Sequence, residues 1–282
     1  MLQCKHFIDI YVPITTCNLT CEYCYIAQQN LFKAEYNDLE YSADFIRQAL
    51  SKERLGGICC FNFCGGGETL LLKNIVEIIE QLLLEGHYVM IVTNGTVTRR
   101  FEEFSKLSPE LLNHLMFKFS YHYLQLKNKN LLDIFFKNVE LIKNVGCSYS
   151  LELPAYDDFI PYIDEIKQVT VEKFGAYPHV TVLRDDRIDG RPILSKLSFK
   201  EYKKVWESFN SDLFNLRLKY WGQKQRKFCY AGYYTALLNL ENGSFRRCNS
   251  TCETQNIYEN INKPIDFSPI GYKCPEKHCY IS

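Results

Sequence analysis

The stretch Ile58 to Val92, ICCFNFCGGGETLLLKNIVEIIEQLLLEGHYVMIV, decides how the chain is built. Ile58 to Cys64 is a short apolar run that ends on glycines, which predicts a strand. Lys73 to Glu85 then places Ile75, Ile78, Ile79, Leu82 and Leu83 at helical spacing, and Gly86 stands where a helix C-cap belongs. Tyr88 to Val92 predicts the next strand, and Asn94-Gly95 a turn. Strand, helix and strand in this order form a crossover unit, whose two strands pair in parallel.

The same alternation extends both ways. Phe7 to Val12 predicts an earlier strand. Leu115 to Ser120, Cys147 to Leu153 and His179 to Leu183 predict later ones. Between them, Leu131 to Val145 is an apolar-striped helix, and Ile160, Ile163, Ile166 and Val169 stripe another. The α/β pattern is too short for an eight-unit barrel. It predicts an open, partial (β/α)6 TIM-like barrel, with the chemistry at the C-terminal ends of the strands. A helix follows near Ser198 to Phe209. From Cys229 onward the sequence is rich in Cys, Asn and Tyr, with one hairpin signal, Glu241-Asn242-Gly243, between Thr235–Leu240 and Ser244–Cys248. The expected division is residues 1–215 and 216–282, the second part being an appendage held by something other than apolar burial.

Lys plus Arg and Asp plus Glu are 33 each in 282 residues. Zero net charge argues against nucleic-acid binding through a broad basic face, and leaves room for a small basic pocket. No apolar run is long enough for a membrane span. Met1 to His6 does not read as a secretory signal, so the expected compartment is the cytoplasm. There thiols stay reduced, and 13 cysteines divide between core positions and metal ligands.

Three of them form Cys17-Asn18-Leu19-Thr20-Cys21-Glu22-Tyr23-Cys24, directly after the first predicted strand. Three thiolates without a local fourth differ from a closed zinc site and suit a [4Fe–4S] cluster with one open iron. A buried thiol cluster or an incomplete zinc knuckle is the plain alternative. This CxxxCxφC spacing resembles the radical S-adenosylmethionine enzymes, with Tyr23 as the aromatic residue. Cys64-Gly65-Gly66-Gly67-Glu68-Thr69 resembles that family's GGE segment, and Val92-Thr93-Asn94-Gly95-Thr96 its TNG segment. The resemblance implies that Cys17, Cys21 and Cys24 hold the cluster. It also implies that Gly66, Gly67, Glu68, Tyr23, Asn94 and Ser120 bind S-adenosylmethionine. The reaction it implies is reductive cleavage to a 5′-deoxyadenosyl radical, which takes a hydrogen atom from the substrate. His122 reads equally as a substrate contact or a structural histidine, and Arg184 as a carboxylate partner or a solvated arginine.

Cys229, Cys248, Cys274 and Cys279 resemble the ligands of a Twitch domain, the short relative of the SPASM domain, which carries one auxiliary [4Fe–4S] cluster. Zinc on the same thiolates is the alternative. Cys252 is left over, as a free thiol, a substitute ligand or a catalytic hydrogen-atom donor. Cys59, Cys60, Cys64 and Cys147 read as core residues. A closed auxiliary cluster suggests electron transfer, as in the resembling dehydrogenases of aminoglycoside biosynthesis. The expected substrate is therefore a sugar-like small molecule that is oxidised or rearranged. The second reading is a maturase that epimerises or cross-links a ribosomal peptide. With only Met1 to His6 before the first strand, no leader-binding domain is expected in cis. The resemblance also implies an external electron donor such as flavodoxin or ferredoxin.

Overall fold

The computed structural model describes residues 4–34, 39–249, 251–272 and 274–279. Strands β1 (Phe7–Val12), β2 (Cys60–Gly65), β3 (Tyr88–Thr93), β4 (Leu115–Ser120), β5 (Ser148–Pro154) and β6 (His179–Thr181) pair in parallel and in sequence order. Helices Ile75–Leu84, Leu132–Asn144 and Ile163–Phe174 lie at three of the crossovers between these strands. This is the mixed α/β, partial-barrel arrangement that the sequence predicts. Gly86 takes φ +93° after the first of these helices, a left-handed turn that a side chain would disfavour.

Alternation along the strands divides the sheet into two faces. Ile8, Ile10, Phe61, Phe63, Ile91, Phe117 and Phe119 are fully buried on the helix side. The strand registers place Asp9, Asn62, Cys64, Lys118, Ser120, Ser150 and Glu152 together on the other face, which lines the lumen. The helix side is apolar and the lumen is polar, because helices cover only one face of an open barrel.

The C-terminal part departs from the expected appendage. Strand β7 (Thr235–Asn239) pairs in parallel with β1, and β8 (Ser244–Arg246) and β9 (Glu253–Asn256) follow in antiparallel. The result is one nine-stranded sheet, ordered β6-β5-β4-β3-β2-β1-β7-β8-β9. Ala236, Leu238, Leu240, Phe245, Ile257 and Ile265 are buried, so apolar packing contributes to this region directly. Buried Arg54 also fixes it, donating to the carbonyls of Ala49 (2.6 Å), Ile257 (2.9 Å) and Lys263 (2.8 Å). Among the described residues no helix is long and apolar enough to cross a membrane.

Candidate active site

The loop after β1 carries Cys17, Cys21 and Cys24. Cys24 stands at the start of helix Tyr25–Gln28, and its N–H donates to the Cys21 carbonyl (3.1 Å). Thr20, inside the loop, has φ +53°. A β-branched residue in that region is strained and must be held there by its surroundings.

The glycine loop after β2 packs on the chain that leads into the cysteine loop. A Cβ on Gly67 would stand 2.0 Å from the Thr16 carbonyl oxygen, so only glycine lets the two backbones meet. The Glu68 N–H donates to that same oxygen (2.9 Å). The resemblance implies that Gly66 and Gly67 bind S-adenosylmethionine. In the structure Gly67 makes its close approach to the cysteine loop itself.

Buried Glu68 is the hub of the floor. Its Oε1 accepts from the Thr93 hydroxyl (2.6 Å) and the Leu70 N–H (3.0 Å), and its Oε2 from the Asn94 N–H (2.7 Å). A carboxylate offers about four lone-pair sites, and these three donors fill three of them. Asn94 continues the chain of contacts. Its Nδ2 donates to Asn18 Oδ1 (2.8 Å) and approaches the Cys17 sulfur (3.7 Å). The three segments singled out in the sequence are therefore one hydrogen-bonded unit.

Cys17, Cys21, Cys24, Gly66, Gly67, Glu68, Asn94, Ser120 and His122 all line one cavity of about 80 Å³ at the C-terminal edge of the sheet. A second cavity of about 240 Å³ shares Cys24, Ser120 and His122 and adds Tyr23, Glu152, Arg184 and Asp186. Tyr23 thus faces the second cavity and not the first. It packs against Tyr156 at 4.6 Å between ring centres, and its hydroxyl lies 3.0 Å from His122 Nδ1. Burial lowers the His122 pKa to about 4, so the ring is neutral and Nδ1 can accept from the tyrosine. Arg184 pairs with Asp186 (3.0 Å). Cys64, read as a core residue, instead lines the same cavity as Cys17, Cys21 and Cys24. Its position on the lumen face decides this, since every second residue of β2 faces that way. Asp9, Lys118 and Glu152 were missed as candidates. Their signal was in the sequence, as the single charged residue of each of β1, β4 and β5.

Burial raises the Cys17 and Cys24 thiols and brings Cys21 up to about 12; repulsion from Glu68 adds to the rise at Cys17, and from neighbouring thiols at Cys21 and Cys24. Binding iron would require these protons to leave. Among the described residues no three His, Cys, Asp or Glu side chains form a ligand set for a metal ion. A cubane places different demands. Each thiolate binds its own iron, so the sulfurs stand apart around the cluster. The structure supplies the donor set for it: three thiols lining one cavity, with the Asn94 amide N–H aimed at the Cys17 sulfur.

In the C-terminal part, Cys229 exchanges backbone hydrogen bonds with Gly271, and Lys224 Nζ donates to the Cys274 carbonyl (2.9 Å). These contacts bring the chain around Cys229 beside the chain around Cys274. Cys252 and Cys279 are exposed.

A family model described as the Radical SAM superfamily matches residues 11–157, more than half of the chain. The chain belongs to the radical SAM superfamily. It is therefore an enzyme of a family that uses a [4Fe–4S] cluster and S-adenosylmethionine. Among solved structures it is similar to Streptococcus suis SuiB bound to S-adenosylmethionine, with TM-score 0.60 and 14% identity over 92% of this chain. The match spans 65% of the SuiB chain. SuiB bound to its precursor peptide SuiA gives TM-score 0.60 and 15% identity, covering 97% of this chain and 66% of that one. Native anSMEcpe with bound AdoMet gives TM-score 0.58 and 15% identity, covering 90% and 79%. At such identities the likeness is one of fold. No curated protein matches the chain.

Proposed function

We propose that Cys17, Cys21 and Cys24 hold the [4Fe–4S] cluster, and that Gly66, Gly67, Glu68, Asn94, Ser120 and Tyr23 bind S-adenosylmethionine. The observation that carries this reading is the shared cavity, where the cysteine loop, glycine loop and Asn94 are joined by hydrogen bonds. When bound, the reduced cluster supplies the electron that cleaves S-adenosylmethionine, giving the 5′-deoxyadenosyl radical that takes a hydrogen atom from substrate. Glu68 receives an ammonium on its open lone pair. Asn94 steadies the Cys17 sulfur, as partners around metal ligands do. Neutral His122 and Tyr23 form an uncharged wall of the second cavity, which has room for the nucleoside end of the cofactor. An external one-electron donor, a flavodoxin or ferredoxin, supplies the reductant.

The substrate occupies the lumen below. Asp9 accepts from Asn62 Nδ2 (2.8 Å), and Lys118 pairs with Glu152 (3.0 Å). Such a lining of donors and acceptors favours a polar, sugar-like molecule for oxidation or rearrangement. Peptide maturation is the second reading, favoured by the SuiB structure bound to its precursor peptide. We assign a second cluster to Cys229, Cys248, Cys274 and Cys279, supported by the backbone contacts of Cys229 and Cys274. In this reading exposed Cys252 is the thiol left for hydrogen-atom donation.

The test is iron content and cofactor cleavage. Replacing Cys17, Cys21 and Cys24 together by Ala should remove about four irons per reconstituted chain and abolish dithionite-driven release of 5′-deoxyadenosine. Full iron content in that variant would falsify the ligand assignment.

A further inference from the structure

A cluster of exposed aromatic side chains lies remote from the proposed cofactor cavity. Phe228, Tyr230, Tyr233, Tyr234 and Tyr272 are all exposed, Tyr272 to 78%. Their rings touch one another: Phe228 with Tyr230 (4.8 Å between centres) and Tyr272 (5.3 Å), and Tyr234 with Tyr230 (5.5 Å) and Tyr233 (4.9 Å). Single exposed aromatics are ordinary, but a contiguous set of five marks an interaction site. Mutual packing already orders these side chains, which lowers the entropy cost of binding.

Charge adds a second, independent feature. Between Asp212 and Glu241 the chain has no acidic residue, yet it carries Arg217, Lys219, Lys224, Arg226 and Lys227. Arg226 and Lys227 are exposed, form no ion pair among the described residues, and lie directly before Phe228. In a chain of zero net charge this is a local concentration of one sign.

Position gives the third. The Tyr234 carbonyl accepts from the Phe7 N–H (2.8 Å), and the Tyr233 carbonyl lies 2.7 Å from His6 Nδ1. The aromatic cluster thus sits where β1 and β7 begin. The cofactor cavity lies where β1 to β4 end, about 20 Å away along a six-residue strand.

We propose that this surface docks an acidic polypeptide segment carrying apolar side chains. Tyrosine faces supply amphipathic contact area, and Arg226 and Lys227 receive the carboxylates. Nucleic acid fits less well, because its affinity depends on neutralising many phosphates and the free cations here are few. Binding at the far end of the strands leaves the cofactor cavity unobstructed.

The test uses the full chain and fluorescence anisotropy with a labelled peptide of about twelve residues, alternating Glu with Leu and Phe. A control peptide has Lys in place of Glu. The acidic peptide should bind and the control should not. The double variant Arg226→Glu with Lys227→Glu, and separately Tyr230→Ser with Tyr272→Ser, should each weaken binding at least about tenfold. Circular dichroism should be unchanged, since all four side chains are exposed. Equal binding of the two peptides, or unchanged affinity in both variants, overturns the proposal. So does selective loss in these variants of binding to oligouridylate, phosphatidylserine vesicles or an acidic flavodoxin, if the acidic peptide itself fails to bind.

Discussion

At the level of single residues, the decisive contact is between Gly67 and Thr16. A methyl group on Gly67 would stand 2.0 Å from a backbone oxygen, which cannot rotate away. Gly66 is less tight, its nearest atom being the Ile14 oxygen at 3.1 Å. Gly67→Ala should therefore cost about 1–3 kcal/mol as overpacking. It should also lower iron uptake, because the displaced backbone leads straight into Cys17. Gly66→Ala should cost clearly less in both. Denaturant melts and iron assays on the two variants decide it, and equal behaviour would refute the distinction. The sequence shows three consecutive glycines but not which one is indispensable. That depends on a carbonyl some fifty residues earlier in the chain, which no local pattern encodes. For Cys17, Cys21 and Cys24 the spacing is itself the signal that proposes them as ligands, and the structure brings them to one cavity.

At the level of elements, the barrel strands were legible and their neighbours were not. Apolar runs separated by striped helices identify β1 to β5 nearly to the residue. Strand β6 was expected to Leu183 and ends at Thr181, after which the chain turns toward the Arg184–Asp186 pair. The hairpin signal found β7 and β8, yet it says nothing about the parallel pairing of β7 with β1, which joins positions more than two hundred residues apart. Arg54 was equally silent in the sequence. It is an ordinary-looking arginine in a short helix, Lys52–Leu55, whose guanidinium ties that region to the Ile257 and Lys263 carbonyls. Arg54→Met keeps the aliphatic stem and leaves three carbonyls without their donor. Each unmet buried acceptor costs about 1–3 kcal/mol, so the variant should lose at least about 2 kcal/mol in a urea melt. A midpoint shift within error would mean that water replaces the guanidinium and that the strap is not energetic.

Across the whole molecule, composition suggested two parts and the sheet joins them. Strand β7 lies between β1 and β8, with Ala236 and Leu238 buried on the same face as Ile8 and Ile10. A central strand of this kind couples both sides, because its loss would expose the edge of β1 as well as its own apolar face. The residues on either side of position 215 should therefore unfold in one transition. Leu238→Ala tests this, since Leu238 is fully buried and its truncation should cost about 2–5 kcal/mol. If the sheet is one cooperative unit, hydrogen exchange should quicken in β1 and β2 by the same factor as in β7, and the melt should remain a single transition. Faster exchange confined to residues after 215, with β1 unchanged, would instead show a C-terminal part that opens alone. The distinction matters for chemistry. The cysteine loop leaves β1 at Val12, so a coupled sheet makes the proposed cofactor cavity depend on packing in the part of the chain that carries Cys229 and the aromatic surface.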